Sequence, residues 1–224
     1  MKRADQLNFK FIEPKGPVIG PLIIVGYMIK ESDLDKLEAI GVKDSKLLTH
    51  KQREKMVDKI KELSEDYKII TVQPKEIDEA VESKDHMNLN WLEAKKQAEI
   101  INELDPDVAY IDCPSPNIRK YKDYLTNLLN NDKIELIVEH KADSKYLVVG
   151  AASIIAKCVR EDNVKAIEHM TGQSIGTGYP SNPVCKKFLE ENFDRYPDIF
   201  RKSWMTWKNH NNMKKQKKLD EFGD

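Results

Sequence analysis

A chain of 224 residues is long enough to bury one sizeable core, and one domain with a helical appendage fits better than one large domain. With hydrophobic residues at 40% and charged ones at 33%, it is too apolar for general disorder and reads as a soluble globular protein. The 37 basic and 38 acidic side chains leave a net charge of −1, so the total advertises no polyanion partner, although an uneven distribution still could.

The longest apolar stretches, such as "VIGPLIIVGYMI", contain Gly and Pro and fall short of the roughly 20 residues of a membrane span, so no span is expected. "MKRADQLNFK" lacks the apolar segment of a secretory signal. Cys113, Cys158 and Cys185 are widely spaced and form no CxxC pair, which argues against a zinc site or a disulfide framework and for a reducing cytoplasm.

In chain order, residues 7–12 read as a short strand and 17–29 as a buried one, forming a hairpin that turns near Pro14 to Gly16. "SDLDKLEAIG" predicts a helix with Ser32 as N-cap and Gly41 as stop, and "THKQREKMVDKIKELSEDY" a second surface helix. "YKIITVQ" reads as a strand, "PKEIDEAV" as a short helix and "NLNWLEAKKQAEIINEL" as a longer one. Strands at 107–113 and 134–140 flank the helical "NIRKYKDYLTNLL", a strand, helix, strand unit. "SKYLVVGAASIIAKCVREDNVKAIEHM" follows as one long helix, its first half apolar enough to cross the core. The final third reads as helices and turns, and the tail "KNHNNMKKQKKLDEFGD" concentrates lysine, a pattern of nucleic-acid affinity and, more often, of a solvated end.

Asp112 ends the strand "AYID", and Asp143 follows the strand "LIVEH" by three residues, so neighbouring parallel strands place both carboxylates at one sheet edge, where open α/β sheets bind ligands. Two close carboxylates repel unless a cation neutralises them, and such oxygen ligands suit Mg²⁺ or Mn²⁺. Spacing alone favours helix-capping or solvated loop residues. His86 has no partner at metal spacing and reads as loop.

"GPVIGPLIIVG", "GVKDSKLLT", "YIDCPSPN", "EHKADSKYLVVGAASIIAK" and "GTGYPSNP" resemble successive motifs of ribonuclease HII, in that family's order and roughly its spacing, over about residues 16–208. The likeness is to archaeal members. It implies an α/β fold of ribonuclease H type, with a mixed β-sheet flanked by helices and a helical C-terminal extension. The boundaries are a core over 1–170, the extension over 171–210 and a lysine-rich, flexible tail over 211–224. It further implies an endonuclease that uses Mg²⁺ or Mn²⁺ to cleave the RNA strand of RNA/DNA hybrids or ribonucleotides embedded in duplex DNA. By motif, Asp112 and Asp143 fall on two of four acidic metal-site residues, Tyr179 on the tyrosine that packs against the sugar beside the ribonucleotide, and Lys46 on a lysine near the backbone phosphate. Ser153 and Lys157, one helical turn apart, both face the nucleic acid on this reading; capping or solvent roles are the plainer alternative. A monomer is the family expectation, and a clamp-type partner bound through the tail is left open.

One stretch departs from the family, which carries Asp-Glu-Ala-Gly-Arg-Gly where this chain has "FIEPKG". An ungapped match puts Phe11 and Ile12 on the two acids; deleting one residue puts Glu13 on the glutamate and Lys15 on the arginine, ahead of Gly16, but leaves Ile12 on the aspartate. Pro14 has no amide proton and a fixed φ, and Lys15 lacks the guanidinium fork, so 2′-OH readout is expected to be altered. Three readings follow: a nuclease in which Glu13, Asp112 and Asp143 hold the metal; an inactive or impaired homologue that binds hybrid or duplex nucleic acid; or an altered N-terminal sequence.

Overall fold

The computed structural model describes residues 16–42, 48–83 and 87–221, with side chains through residue 213. The strand expected over 7–12 and the loop residue His86 lie outside these residues.

Strand β1 (Leu22–Met28) begins later than the apolar run predicts. Gly20 turns the chain at φ +86°, and Pro21 has no ladder donor, so regular pairing starts only at Leu22. Upstream, Ile19 makes a single antiparallel bridge to Phe200. β1 pairs antiparallel with β2 (Asp66–Val72), Leu22 opposite Val72 and Met28 opposite Asp66.

Between them, α1 (Leu34–Ala39) is preceded by a 3-10 turn over Glu31–Asp33. Ser32 sits inside that turn and is not the N-cap the sequence predicts: the tight turn extends the helical run upstream, and the caps fall on Lys30 and Asp33, neither with a side-chain bond. Gly41, at φ +90°, ends the run as expected. α2 (His50–Leu63) opens on a capping box in which Thr49 and Gln52 each accept from the other's amide. α3 (Pro74–Val81) begins on its proline, and α4 (Leu89–Leu104) is capped by Asn88.

The parallel unit is β3 (Val108–Asp112), α5 (Ile118–Thr126) and β4 (Glu135–Glu139), with Val108 opposite Glu135 and Asp112 opposite Glu139. α6 (Leu147–Thr171) follows, then α7 (Pro183–Asn192) and α8 (Met205–Glu221), which carries the lysine-rich segment as helix. No described helix is long and apolar enough to cross a membrane.

Strand alternation assigns the layers. Leu22, Ile24 and Gly26 face α4, packing with Ile100 and Leu104, whereas Val25 and Tyr27 join Ile154 and Ile155 of α6 in a second core. Gly26 is required by this approach, since a Cβ there would overlap Ile100 Cγ2. Ala109, Ile111, Leu136 and Val138 likewise face α4 and α5, and Tyr110 turns the other way onto Tyr146, ring centroids 4.5 Å apart. Among the described residues the strands form two separate two-stranded sheets, one antiparallel and one parallel, rather than one continuous mixed sheet. A cleft of about 1190 Å³ runs between β1 and β3, walled by α4 and α6.

Candidate active site

Asp112 is the last residue of β3, exposed at the carboxyl end of the parallel pair. Beyond β4 the chain reverses through Lys141, held at φ +57°, into a 3-10 turn over Ala142–Ser144 that carries Asp143. The amide of Ala142 donates to Asp112 Oδ1 at 3.1 Å, so the turn that presents one carboxylate also orients the other. His140 Nδ1 lies 3.1 Å from the Cys113 carbonyl and ties the two strand ends together. Ser144 Oγ donates to Asp143 Oδ1 at 3.3 Å. Both aspartates line the cleft, and the parallel register brings Asp112 and the turn after β4 to one edge.

A third carboxylate belongs to the same cleft. Glu93 of α4 lines it, partly open to the cavity yet crowded by protein, and burial pushes its carboxyl up to about 7. The Arg201 guanidinium opposes that rise, and the charge of Asp112 adds to it. Sequence reasoning passed over Glu93, although a signal was present. Along α4 the cleft-facing positions are Glu93, Gln97, Ile100, Ile101 and Leu104, an apolar helical stripe with two polar members at its start. A raised carboxyl has a signed consequence for stability. The folded state holds this proton more tightly than the unfolded chain, so the stabilisation is complete below about pH 4.5 and is lost as pH rises through about 7. Metal-free protein should therefore lose thermal stability over that window relative to Glu93→Gln, and superimposable melting curves against pH would refute it.

Tyr179 lies with the segment that follows Gly16, and neither is among the residues lining the cleft. Val18 and Ile19 donate their amides to the Gly178 carbonyl at 2.8 and 3.3 Å, bringing "GPVIG" against "GTGYPSNP". Gly178 sits at φ +73°, and a Cβ there would lie 3.3 Å from the Ile19 carbonyl, so the glycine permits the approach. Tyr179 is exposed, with the Arg160 guanidinium 5.1 Å from its ring centroid. Arg160 also donates to the Thr177 carbonyl at 2.7 Å, which fixes it over the ring.

Arg201, also unassigned by sequence reasoning, is buried and donates to the carbonyls of Gly20 at 3.0 Å and Pro21 at 2.8 Å. Burial, and then Arg160, lower its guanidinium to about 10, so it stays charged at neutral pH. It stands between Gly16, whose notional Cβ would lie 3.4 Å from its Nη1, and Glu93, whose charge it senses. Ser153 lines the cleft from α6, whereas the half-buried Lys157, one turn later, is not among its walls. Glu13, Lys15 and Lys46 lie outside the described residues.

Asp112, Asp143 and Glu93 line one cleft with oxygen donors, the kind that suits a hard divalent cation such as Mg²⁺ or Mn²⁺ better than a soft one, but their carboxylates do not converge into one three-ligand cluster among the described residues.

Both the sequence and the fold match known proteins. The family model described as Ribonuclease HII matches residues 14–207. The ribonuclease HII of Thermococcus sibiricus is 40% identical over 203 residues, 87% of this chain and 86% of that protein. The crystal structure of the ribonuclease H2 from Pyrococcus horikoshii superposes with a TM-score of 0.80 at 39% identity, covering 89% of this chain and 93% of the other. The ribonuclease HII of Archaeoglobus fulgidus, solved in complex with PCNA, superposes at 0.75 with 35% identity over 87% of this chain and 90% of that one.

Proposed function

Because the chain belongs to the ribonuclease HII family, we propose that it is a divalent-metal-dependent endonuclease acting on the RNA strand of RNA/DNA hybrids or on ribonucleotides embedded in duplex DNA. The observation that carries this reading is the presentation of Asp112 and Asp143 on one cleft, each positioned by the same turn. Asp112 and Asp143 would hold Mg²⁺ or Mn²⁺, with Glu13 as a further ligand from the N-terminal segment. When bound, such ions make a water nucleophilic at neutral pH and neutralise the leaving oxygen of a phosphodiester.

The chain's own groups prepare the site. The Ala142 amide holds the Asp112 carboxylate in one orientation, and Arg201 keeps the Gly20–Pro21 backbone in place beside Gly16. Tyr179, braced by Arg160, offers a flat face and a hydroxyl to a sugar edge and its 2′-OH. Lys46 and Lys15 would meet backbone phosphates, with Ser153 and Lys157 following along α6. In domain terms, residues 1–170 would form the catalytic core, 171–210 its helical extension and 211–224 the lysine-rich tail. The tail would meet a clamp-type partner, a role supported by the PCNA complex of the Archaeoglobus protein, and the enzyme would act as a cytoplasmic monomer.

The family's aspartate, replaced by Phe11 or Ile12 depending on the alignment, favours a second reading: a homologue that binds hybrid duplex without cutting it. A labelled DNA duplex carrying one ribonucleotide, incubated with Mg²⁺, Mn²⁺ or EDTA, separates the two. Incision beside the ribonucleotide with either metal and none in EDTA is the expected result. A folded protein that retains hybrid over plain duplex at low salt and never cuts it establishes the binder.

A further inference from the structure

Away from the cleft, α2 and α6 are joined by an ionisable cluster that the proposed reaction does not use. His50, the first residue of α2, Cys158 and Glu161 each bring one donor atom into a group spanning no more than 4.8 Å. None of the three lines the cleft. We infer that His50, Cys158 and Glu161 form a second metal site, for a borderline ion of Zn²⁺ type, that clamps α2 to α6.

Each ligand is already oriented from behind. His50 Nε2 lies 2.7 Å from Glu54 Oε1, the carboxylate–histidine arrangement that fixes an imidazole for coordination through its other nitrogen. Glu161 Oε1 accepts from Arg53 Nη2 at 2.5 Å, which leaves Oε2 for another partner. His50 Nδ1 and Glu161 Oε2 face each other in an ion-pair contact, both are buried, and neither has a hydrogen-bond partner. With Nε2–H given to Glu54, Nδ1 carries a lone pair opposite a carboxylate lone pair. Two such pairs repel unless a cation lies between them.

The buried Cys158 thiol supplies the third donor. Burial, and then Glu161, hold it above its ordinary range, so it is a thiol without metal and releases its proton to solvent when an ion binds. Nitrogen, sulfur and oxygen together are a donor set for Zn²⁺, whose bonds of about 2.0–2.3 Å need His50 and Glu161 to part slightly to admit it, with water as fourth ligand. The competing arrangement is a proton in place of the metal. In it Lys165 Nζ, 2.6 Å from Nε2, donates to the ring, and Nδ1–H points at Glu161. The wide cysteine spacing that argues against a zinc site in sequence does not bear on this one, because its ligands converge from residues 50 and 158–161 only in the fold.

The test is a titration of the full-length, metal-free protein with Co²⁺ alone, followed by absorption. The expected result is one equivalent with a thiolate-to-cobalt charge-transfer band and the d–d bands of a four-coordinate ion. The band should persist in Asp143→Asn, Cys113→Ser and Cys185→Ser and vanish in Cys158→Ser. Glu54→Gln should weaken binding about tenfold or more. Zn²⁺ should raise the melting temperature of the wild type but not of Cys158→Ser. His50→Ala, at a partly exposed side chain, guards against loss of the band through misfolding, with circular dichroism alongside. No thiolate band in the wild type, or one that survives in Cys158→Ser or His50→Ala, overturns the site and leaves an imidazole hydrogen-bonded to a carboxylate. The readout needs no nuclease activity, so it stands or falls independently of the proposed reaction.

Discussion

Asp143→Asn is expected to lower metal-dependent incision of a one-ribonucleotide duplex by about 10³-fold, since several kcal/mol of stabilisation of the reacting phosphodiester is lost with the metal ligand. Asp112→Asn should do the same. The asparagine oxygen can still accept the Ala142 amide, so the turn and the strand end remain and the deficit is one of charge rather than of folding. Single-turnover cleavage beside a melting curve separates the two causes. If either variant cuts within tenfold of the wild type while folding normally, that aspartate does not hold the catalytic ion.

Arg201→Met should be strongly damaging to stability. It removes both donors to the Gly20 and Pro21 carbonyls and a guanidinium centred 5.0 Å from the Trp204 ring. Two buried acceptors left without partners cost about 3 kcal/mol together. In a chain of this size that lowers the melting temperature by roughly 6–12 °C. Nucleic-acid binding should weaken in parallel, because the orphaned carbonyls belong to the segment that brings Gly16 to Tyr179. A melting temperature within about 2 °C of the wild type would mean that the methionine stem and the surrounding apolar side chains suffice.

The parallel unit was readable because its signals are local. "DVAYIDC" and "IELIVEH" are short apolar runs around an amphipathic helix, and right-handed parallel pairing then sends Asp112 and the turn after β4 to the same edge. The long apolar α6 was readable for the same reason. The start of β1 was not, because the run from Pro17 to Met28 looks uniform in composition while Gly20 at φ +86° breaks its geometry. Ser32 illustrates the opposite limit, a good capping residue displaced when a 3-10 turn extends the helix beyond it. Glu93 and Arg201 escaped because their meaning is tertiary: the first is ordinary on an isolated helix, and the second acts on carbonyls 180 and 181 positions upstream. Tyr179 was recognisable from its motif, but nothing local linked it to Arg160 on another element.

Those long separations also order events in time. The wall around Gly16 is closed by Arg201 reaching Gly20, and α3 is fastened where Asp78 accepts from the amides of Lys202 and Ser203 at 2.8 and 2.9 Å. Closing such distant loops is entropically late, whereas β3, α5 and β4 need only neighbours in sequence. During synthesis the parallel unit can therefore assemble as soon as it leaves the ribosome, with Asp112 and the turn that carries Asp143 already at one edge. The face that would grip a duplex must wait for the final quarter of the chain, so a nascent protein has its acidic centre before it has a surface on which to hold a substrate.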